Sequence, residues 1–143
     1  MTIKRHATAS WEGTVARGGG RLAVGSGAFE GPFTAKARVE DTDATNPEEL
    51  LGAAHAGCFT MSMANLLTKQ GAPAERLSTE ATVHLEQQDG RHTITRIELA
   101  LTGSAAVDAE TFERLARQAK DTCTVSRALA GTEIELSATL DPR

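Results

Sequence analysis

The feature that most constrains this chain is the run Leu50 to Leu67, which holds no Asp, Glu, Lys or Arg and is entered through Asn46-Pro47-Glu48-Glu49. Asn46 suits an N-cap, and Pro47 the first helical position, where a missing N–H is not needed. Glu49 suits the reciprocal partner of a capping box. Gly71 and Pro73 supply a stop. Small or apolar residues lie on nearly every side of the helix so delimited, which predicts burial all round. Ala53, Ala54, Ala56 and Gly57 would let another helix approach closely. The run is almost long enough to span a membrane, but its Ala and Gly content, with His55, Ser62 and Asn65, predicts a buried core helix instead.

Around this helix the chain reads as strands. Lys4 to Val15 and Arg21 to Val24 flank Gly18-Gly19-Gly20, which reads as a tight reversal; because it leads into a strand, it does not form a phosphate-binding loop. Phe33 to Glu40 alternates apolar and polar residues, a period-2 signal that puts Arg38 on the polar face of a strand. Leu77 to Leu85 and Thr93 to Thr102 alternate across Asp89-Gly90, an antiparallel hairpin. Asp108 caps an amphipathic helix through about Ala119, and a short break from Lys120 to Thr122 precedes Cys123. A helical turn or two, Thr124 to Leu129, leads to a closing strand, Glu133 to Leu140. Strands and helices are segregated rather than alternating, so the fold class is α+β.

At 143 residues the chain has the length of one domain, 1–143. A net charge of −4 with both signs interspersed leaves no basic stripe for a phosphate backbone, which argues against nucleic acid. No apolar run follows Lys4, Arg5 and His6, so no secretory signal is read there, and a cytoplasmic protein with no membrane attachment is expected.

The two cysteines, Cys58 and Cys123, lie 65 residues apart and form neither a CxxC pair nor a zinc knuckle. In a reducing compartment they are not expected to form a permanent staple. Cys58 lies eleven residues past Pro47, roughly 16 Å along the axis, well beyond the one-turn reach of its own helix dipole. Any stabilisation of a Cys58 thiolate must come from elsewhere in the fold. Cys123 opens a short helix, where free backbone N–H groups favour a thiolate. His55, three residues before Cys58, reads as a packed histidine hydrogen-bonded locally; with Cys58 it offers too few ligands for a metal site, and neither metal nor cofactor is expected.

The run Thr45-Asn46-Pro47-Glu48-Glu49-Leu50-Leu51-Gly52-Ala53-Ala54-His55-Ala56-Gly57-Cys58-Phe59 resembles the signature of the osmotically inducible protein C (OsmC) family, sister to the organic hydroperoxide resistance proteins. Trp11-Glu12-Gly13, the Arg38 segment, and Ala119-Lys120 through Cys123, Val125 and Ser126 resemble the same family in order and spacing. The resemblance implies antiparallel sheets wrapped around a long central helix, in an intertwined homodimer with shared active sites. It further implies a thiol peroxidase that reduces organic hydroperoxides, and hydrogen peroxide more weakly. In it Cys58 would be the peroxidatic residue, Cys123 the resolving one, and Arg38 and Glu48 the family's arginine and glutamate. The reductant it suggests is a dithiol, with a lipoylated protein as one form. One departure is visible: Thr124 stands where the family commonly has proline.

The chemistry of these residue types agrees with such roles. A guanidinium is always charged and forked, suited to a thiolate and peroxide oxygens together, and a carboxylate can fix it by a bidentate pair. Glu48 and Cys58, however, are ten residues apart, ~15 Å along a straight helix. Either the helix breaks near Gly52, or Arg38 and Glu48 reach Cys58 from a second copy across a two-fold interface, as the small-residue face would favour. Leu51, Phe59 and Met61 would suit an alkyl hydroperoxide. Two other functions fit the same residues: a non-catalytic dimer binding an apolar ligand or partner, and a general thiol–disulfide oxidoreductase.

Overall fold

A computed structural model describes residues 1–142 and gathers them into two compact units, Met1–Leu50 and a second that begins at Leu51. The first unit is an antiparallel meander of β1 (Ala7–Glu12), β2 (Gly19–Val24) and β3 (Glu30–Phe33), in that order. Trp11 on β1 sets its ring against Phe33 of β3, centroids 5.3 Å apart and tilted by 57°, and its indole N–H donates to the Gly13 carbonyl at 3.0 Å. Little else on β1 is covered.

The strand expected from Phe33 to Glu40 ends at its first residue. Lys36–Arg38 instead forms a 3-10 turn, so Arg38 is not on a strand. Local bonding explains the difference: the Thr34 hydroxyl accepts the Ala37 N–H at 3.0 Å, and Lys36 pairs with Glu40 one turn on at 3.4 Å. A hydroxyl that satisfies a nearby backbone donor offers the chain an alternative to a sheet ladder.

Helix α1 (Pro47–Lys69) starts as its sequence requires. Asn46 Oδ1 accepts the Glu49 N–H at 2.8 Å, but the Glu49 carboxylate takes the Thr45 hydroxyl, at 2.6 Å, in place of a reciprocal box. The helix ends at Gly71, φ +80°, where the Ala72 N–H returns to Leu67 O at 3.0 Å and the Gly71 N–H to Thr68 O at 3.0 Å, both bonds of a Schellman motif. Burial all round is not what the helix shows. One stripe, Gly52, His55, Phe59, Met63 and Leu67, is buried, whereas Ala53, Ala54, Gly57 and Met61 face outward. By length and composition alone α1 could cross a membrane, a test that core helices also pass.

In the second unit the buried stripe of α1 meets a sheet ordered β4 (Arg76–Gln88), β5 (Arg91–Ser104), β6 (Glu133–Leu140). Ile97, Leu99 and Leu101 of β5 join Phe59, Met63 and Leu67 in the core, and the Thr60 hydroxyl donates to that of Thr79 at 2.7 Å. The β4–β5 hairpin turns on Asp89 (φ +51°) and Gly90 (φ +74°), both left-handed as the expected tight turn demands. This sheet is not wholly antiparallel. Strand β6 runs parallel to β5, because two helices intervene and return the chain to the end where β5 began. Those helices are α2 (Ala109–Thr122), capped by Asp108 on the Thr111 N–H at 2.8 Å, and α3 (Thr124–Ala128). Helix α2 runs three residues past the predicted Ala119, and the break falls on Cys123 alone, at φ −57° and ψ 127°. The α2 residues Phe112, Leu115, Ala116 and Ala119 close the core.

Candidate active site

Two constellations emerge, one in each unit. In the first, Arg38 ends the 3-10 turn, and Asn46 Nδ2 donates to the Ala37 carbonyl at 2.9 Å, tying that turn to the N-cap of α1. Arg38 then lies beside the first turn of the helix. Its Nε reaches Glu48 Oε2 at 3.1 Å and its terminal nitrogen Glu48 Oε1 at 2.9 Å, a fork-on-fork pair of the geometry that fixes a guanidinium in both position and plane. The Glu48 side chain is 14% exposed and that of Arg38 32%, so the outer edge of the guanidinium stays accessible. A cavity of about 240 Å³ opens beside it, walled by Trp11, Val15, Phe33, Ala35 and Pro47. Its lining is aromatic and aliphatic except for Thr34 and the arginine.

In the second unit the two cysteines meet. Both are free thiols: Cys58, half-buried on α1, and Cys123, fully buried where α2 gives way to α3. They lie close enough to share a hydrogen bond. The bend at Cys123 makes this contact. Its own N–H still closes α2 on Ala119 O at 2.8 Å, while its sulfur caps α3 by accepting the Ser126 N–H at 3.5 Å. The first turn of α3 therefore aims backbone donors at both sulfurs. Burial pushes the Cys58 thiol up, the Val125 N–H draws it down, neighbouring Cys123 raises it, and the Thr124 N–H lowers it; the net direction is upward. Burial likewise pushes Cys123 up, but the Ser126 N–H, the Cys58 thiol, the Ser126 hydroxyl and the Val125 N–H together outweigh it. Cys123 therefore lies below the ordinary thiol range. The backbone donors at the bend thus favour charge on Cys123, whereas burial disfavours it on Cys58.

His55 is fully buried, with Nε2 2.7 Å from the Ser126 hydroxyl, as a locally bonded core histidine should be. Sequence reasoning assigns Ser126 no role, although a serine in the first turn after Cys123 is a polar signal. The α3 backbone donors carried no sequence signal beyond the helix start itself. Phe59 is wholly buried in the core, which removes it from the apolar neighbours expected to meet a substrate.

Residues 40–137 match the family model described as OsmC-like protein. The chain is 39% identical over 134 residues to peroxiredoxin OsmC of Escherichia coli K12, covering 90% of this chain and 92% of that protein. Among solved structures it resembles an OsmC-like protein of Mycoplasma pneumoniae, with TM-score 0.80, 15% identity and coverage of 99% and 100% of the two chains. It also resembles the organic hydroperoxide resistance protein OhrB of Bacillus subtilis, with TM-score 0.68, 23% identity and coverage of 95% and 98%.

Proposed function

This chain belongs to the OsmC-like protein family, and we propose from that premise that it is a thiol peroxidase for organic hydroperoxides, residues 1–143 working as one domain. The observation that carries the reading is the meeting of two free thiols from distant parts of the chain beneath a turn of backbone N–H donors. Two sulfurs so placed can pass through sulfenic acid to a disulfide without rearranging the fold.

The Cys58 thiolate attacks the distal oxygen of the hydroperoxide. An S–O bond forms, the O–O bond breaks, and the alkoxide leaves with a proton as alcohol. Cys123 thiolate then attacks the sulfenic sulfur, forming the S–S bond and expelling hydroxide. An external dithiol, a lipoylated protein being one such, restores both thiols and is itself oxidised to a disulfide. The Arg38 fork, fixed by Glu48, stabilises the Cys58 thiolate and the peroxide oxygens, and the apolar cavity beside it takes the alkyl group.

Helix α1 is unbroken from Pro47 to Lys69, which leaves Glu48 and Cys58 ~15 Å apart along it. In this reading the Arg38–Glu48 pair serves Cys58 of a second copy, in a homodimer. The outward stripe Ala53, Ala54, Gly57 and Met61 suits close packing about a dyad. So does the apolar surface that the first unit leaves open, with Val15 71% and Phe29 42% exposed. The protein works in the cytoplasm, where dithiol reductants keep both cysteines reduced.

One equivalent of cumene hydroperoxide added to the reduced protein should consume both thiols and release the alcohol. Cys58→Ser should abolish peroxide consumption, and Cys123→Ser should leave a sulfenic acid that dimedone traps. Peroxide that persists beside two intact thiols would defeat the reading.

A further inference from the structure

The peroxidase chemistry above uses neither of the buried polar side chains His55 and Ser126. They bond to each other, Nε2 to Oγ at 2.7 Å, across α1 and α3, and Ser126 also gives its backbone N–H to Cys123 Sγ at 3.5 Å. His55 Nδ1 is buried with no partner. An apolar residue at position 55 would carry no such unsatisfied atom, so the imidazole is placed for what its other nitrogen does.

Burial holds His55 below its ordinary pKa and therefore neutral, with one ring proton. On Nε2 that proton has an acceptor, Ser126 Oγ; on Nδ1 it would be a buried donor facing nothing. The Nε2–H form is thus the favoured tautomer, leaving Nδ1 a bare lone pair. A serine oxygen that accepts from the imidazole keeps its own hydrogen for another acceptor, and the same residue already meets the Cys123 sulfur through its backbone N–H at 3.5 Å.

We infer that Ser126, oriented by His55, is a positioning residue that holds Cys123 as the thiolate which closes the disulfide and is later the sulfur that leaves when the disulfide is reduced. The inference rests on the peroxidase reading. The titratable groups facing Cys123 are Cys58 directly and His55 through Ser126, both from α1. Lys120 and Asp121 of α2 and Arg127 of α3 lie toward the surface, where they line a cavity that Ser126 also borders, and β6 turns Ile134, Leu136 and Ala138 toward the core. On closure, Cys123 thiolate displaces hydroxide from the Cys58 sulfenic acid. On reduction, the incoming thiolate bonds to Cys58 sulfur, the S–S bond breaks, and its electron pair returns to Cys123, where the Ser126 hydroxyl and N–H receive it. The lower-pKa thiol is the better leaving group, so the mixed disulfide forms on Cys58.

The test begins without peroxide. In a Cys58→Ser background, the ultraviolet thiolate absorbance of Cys123 is titrated with and without Ser126→Ala. The midpoint should rise by about one pH unit, corresponding to about tenfold less thiolate below it. His55→Leu should move it the same way, and Ser126→Thr should restore it. An unchanged midpoint in Ser126→Ala overturns the inference. In the two-cysteine protein, Ser126→Ala should close the disulfide about tenfold more slowly at neutral pH. Sulfenic acid should form on Cys58 without slowing, and closure should recover at higher pH. 2-Mercaptoethanol should be found on Cys58 by peptide mapping, and its recovery on Cys123 would overturn the leaving-group assignment. If the wild type fails to reduce peroxide, the proposed function falls, while the titration still decides whether Ser126 holds the thiolate.

Discussion

Cys58 and Arg38 pose one problem from two sides. The environment of Cys58 in its own unit raises its pKa, chiefly by burial, so near neutral pH the thiol form predominates and the nucleophile is scarce. Peroxide reactivity should then climb with pH as the thiol ionises, and a guanidinium at the sulfur should move that climb to lower pH. Arg38→Met is expected to shift the pH–rate midpoint upward and lower the second-order rate at pH 7. Glu48→Gln keeps the positive charge but loses the anionic half of the fork. It should lower the rate about tenfold, on the scale of one charge-assisted hydrogen bond, with a smaller movement of the midpoint. Stopped-flow oxidation of each variant in a Cys123→Ser background separates the two; identical profiles would remove the fork from the mechanism.

The element that decides the thiol pair is α3, only five residues long. Its first residue, Thr124, supplies an N–H that favours the Cys58 thiolate, which proline could not supply. The backbone is otherwise ready for proline: Cys123 at φ −57° and ψ 127° has the extended conformation that a residue before proline adopts, and Thr124 stands at the first helical position. Thr124→Pro should therefore act in two opposite directions. It should stabilise the fold by about 0.4–1 kcal/mol through the unfolded chain, read as a higher urea midpoint. It should also raise the Cys58 pKa further, read as slower alkylation by iodoacetamide in the Cys123→Ser background. A faster alkylation would show that the N–H does not matter to the sulfur.

At the scale of the molecule, the proposed sharing of residues between copies has a quantitative signature. Cys58→Ser chains should lack activity and Arg38→Met chains should keep only a small part of it at pH 7, but a mixed dimer would hold one site with both residues intact. Random pairing of co-expressed chains gives half mixed dimers with one of two sites restored, hence about a quarter of wild-type activity under two-fold symmetry. No recovery would place Arg38 and Cys58 in the same chain. Gly57→Glu, on the outward face of α1, should shift the sedimentation coefficient toward that of a single 15.1 kDa chain and lower activity in parallel.

What this sequence determined by itself were the properties set by neighbours in the chain. The Asn46 cap, the Gly71 stop, the Asp89-Gly90 turn and the alternation of β4, β5 and β6 were all legible, because each rests on bonds or faces within a few residues. Even locally, a hydroxyl could override the pattern: Thr34 turned the Arg38 segment from strand to 3-10 turn. The meeting of Cys58 with Cys123, the parallel return of β6, the one-sided burial of α1 and the His55–Ser126 bond belong to tertiary structure. They depend on which faces the core brings together, a sum of many weak contacts between distant segments that no local period encodes.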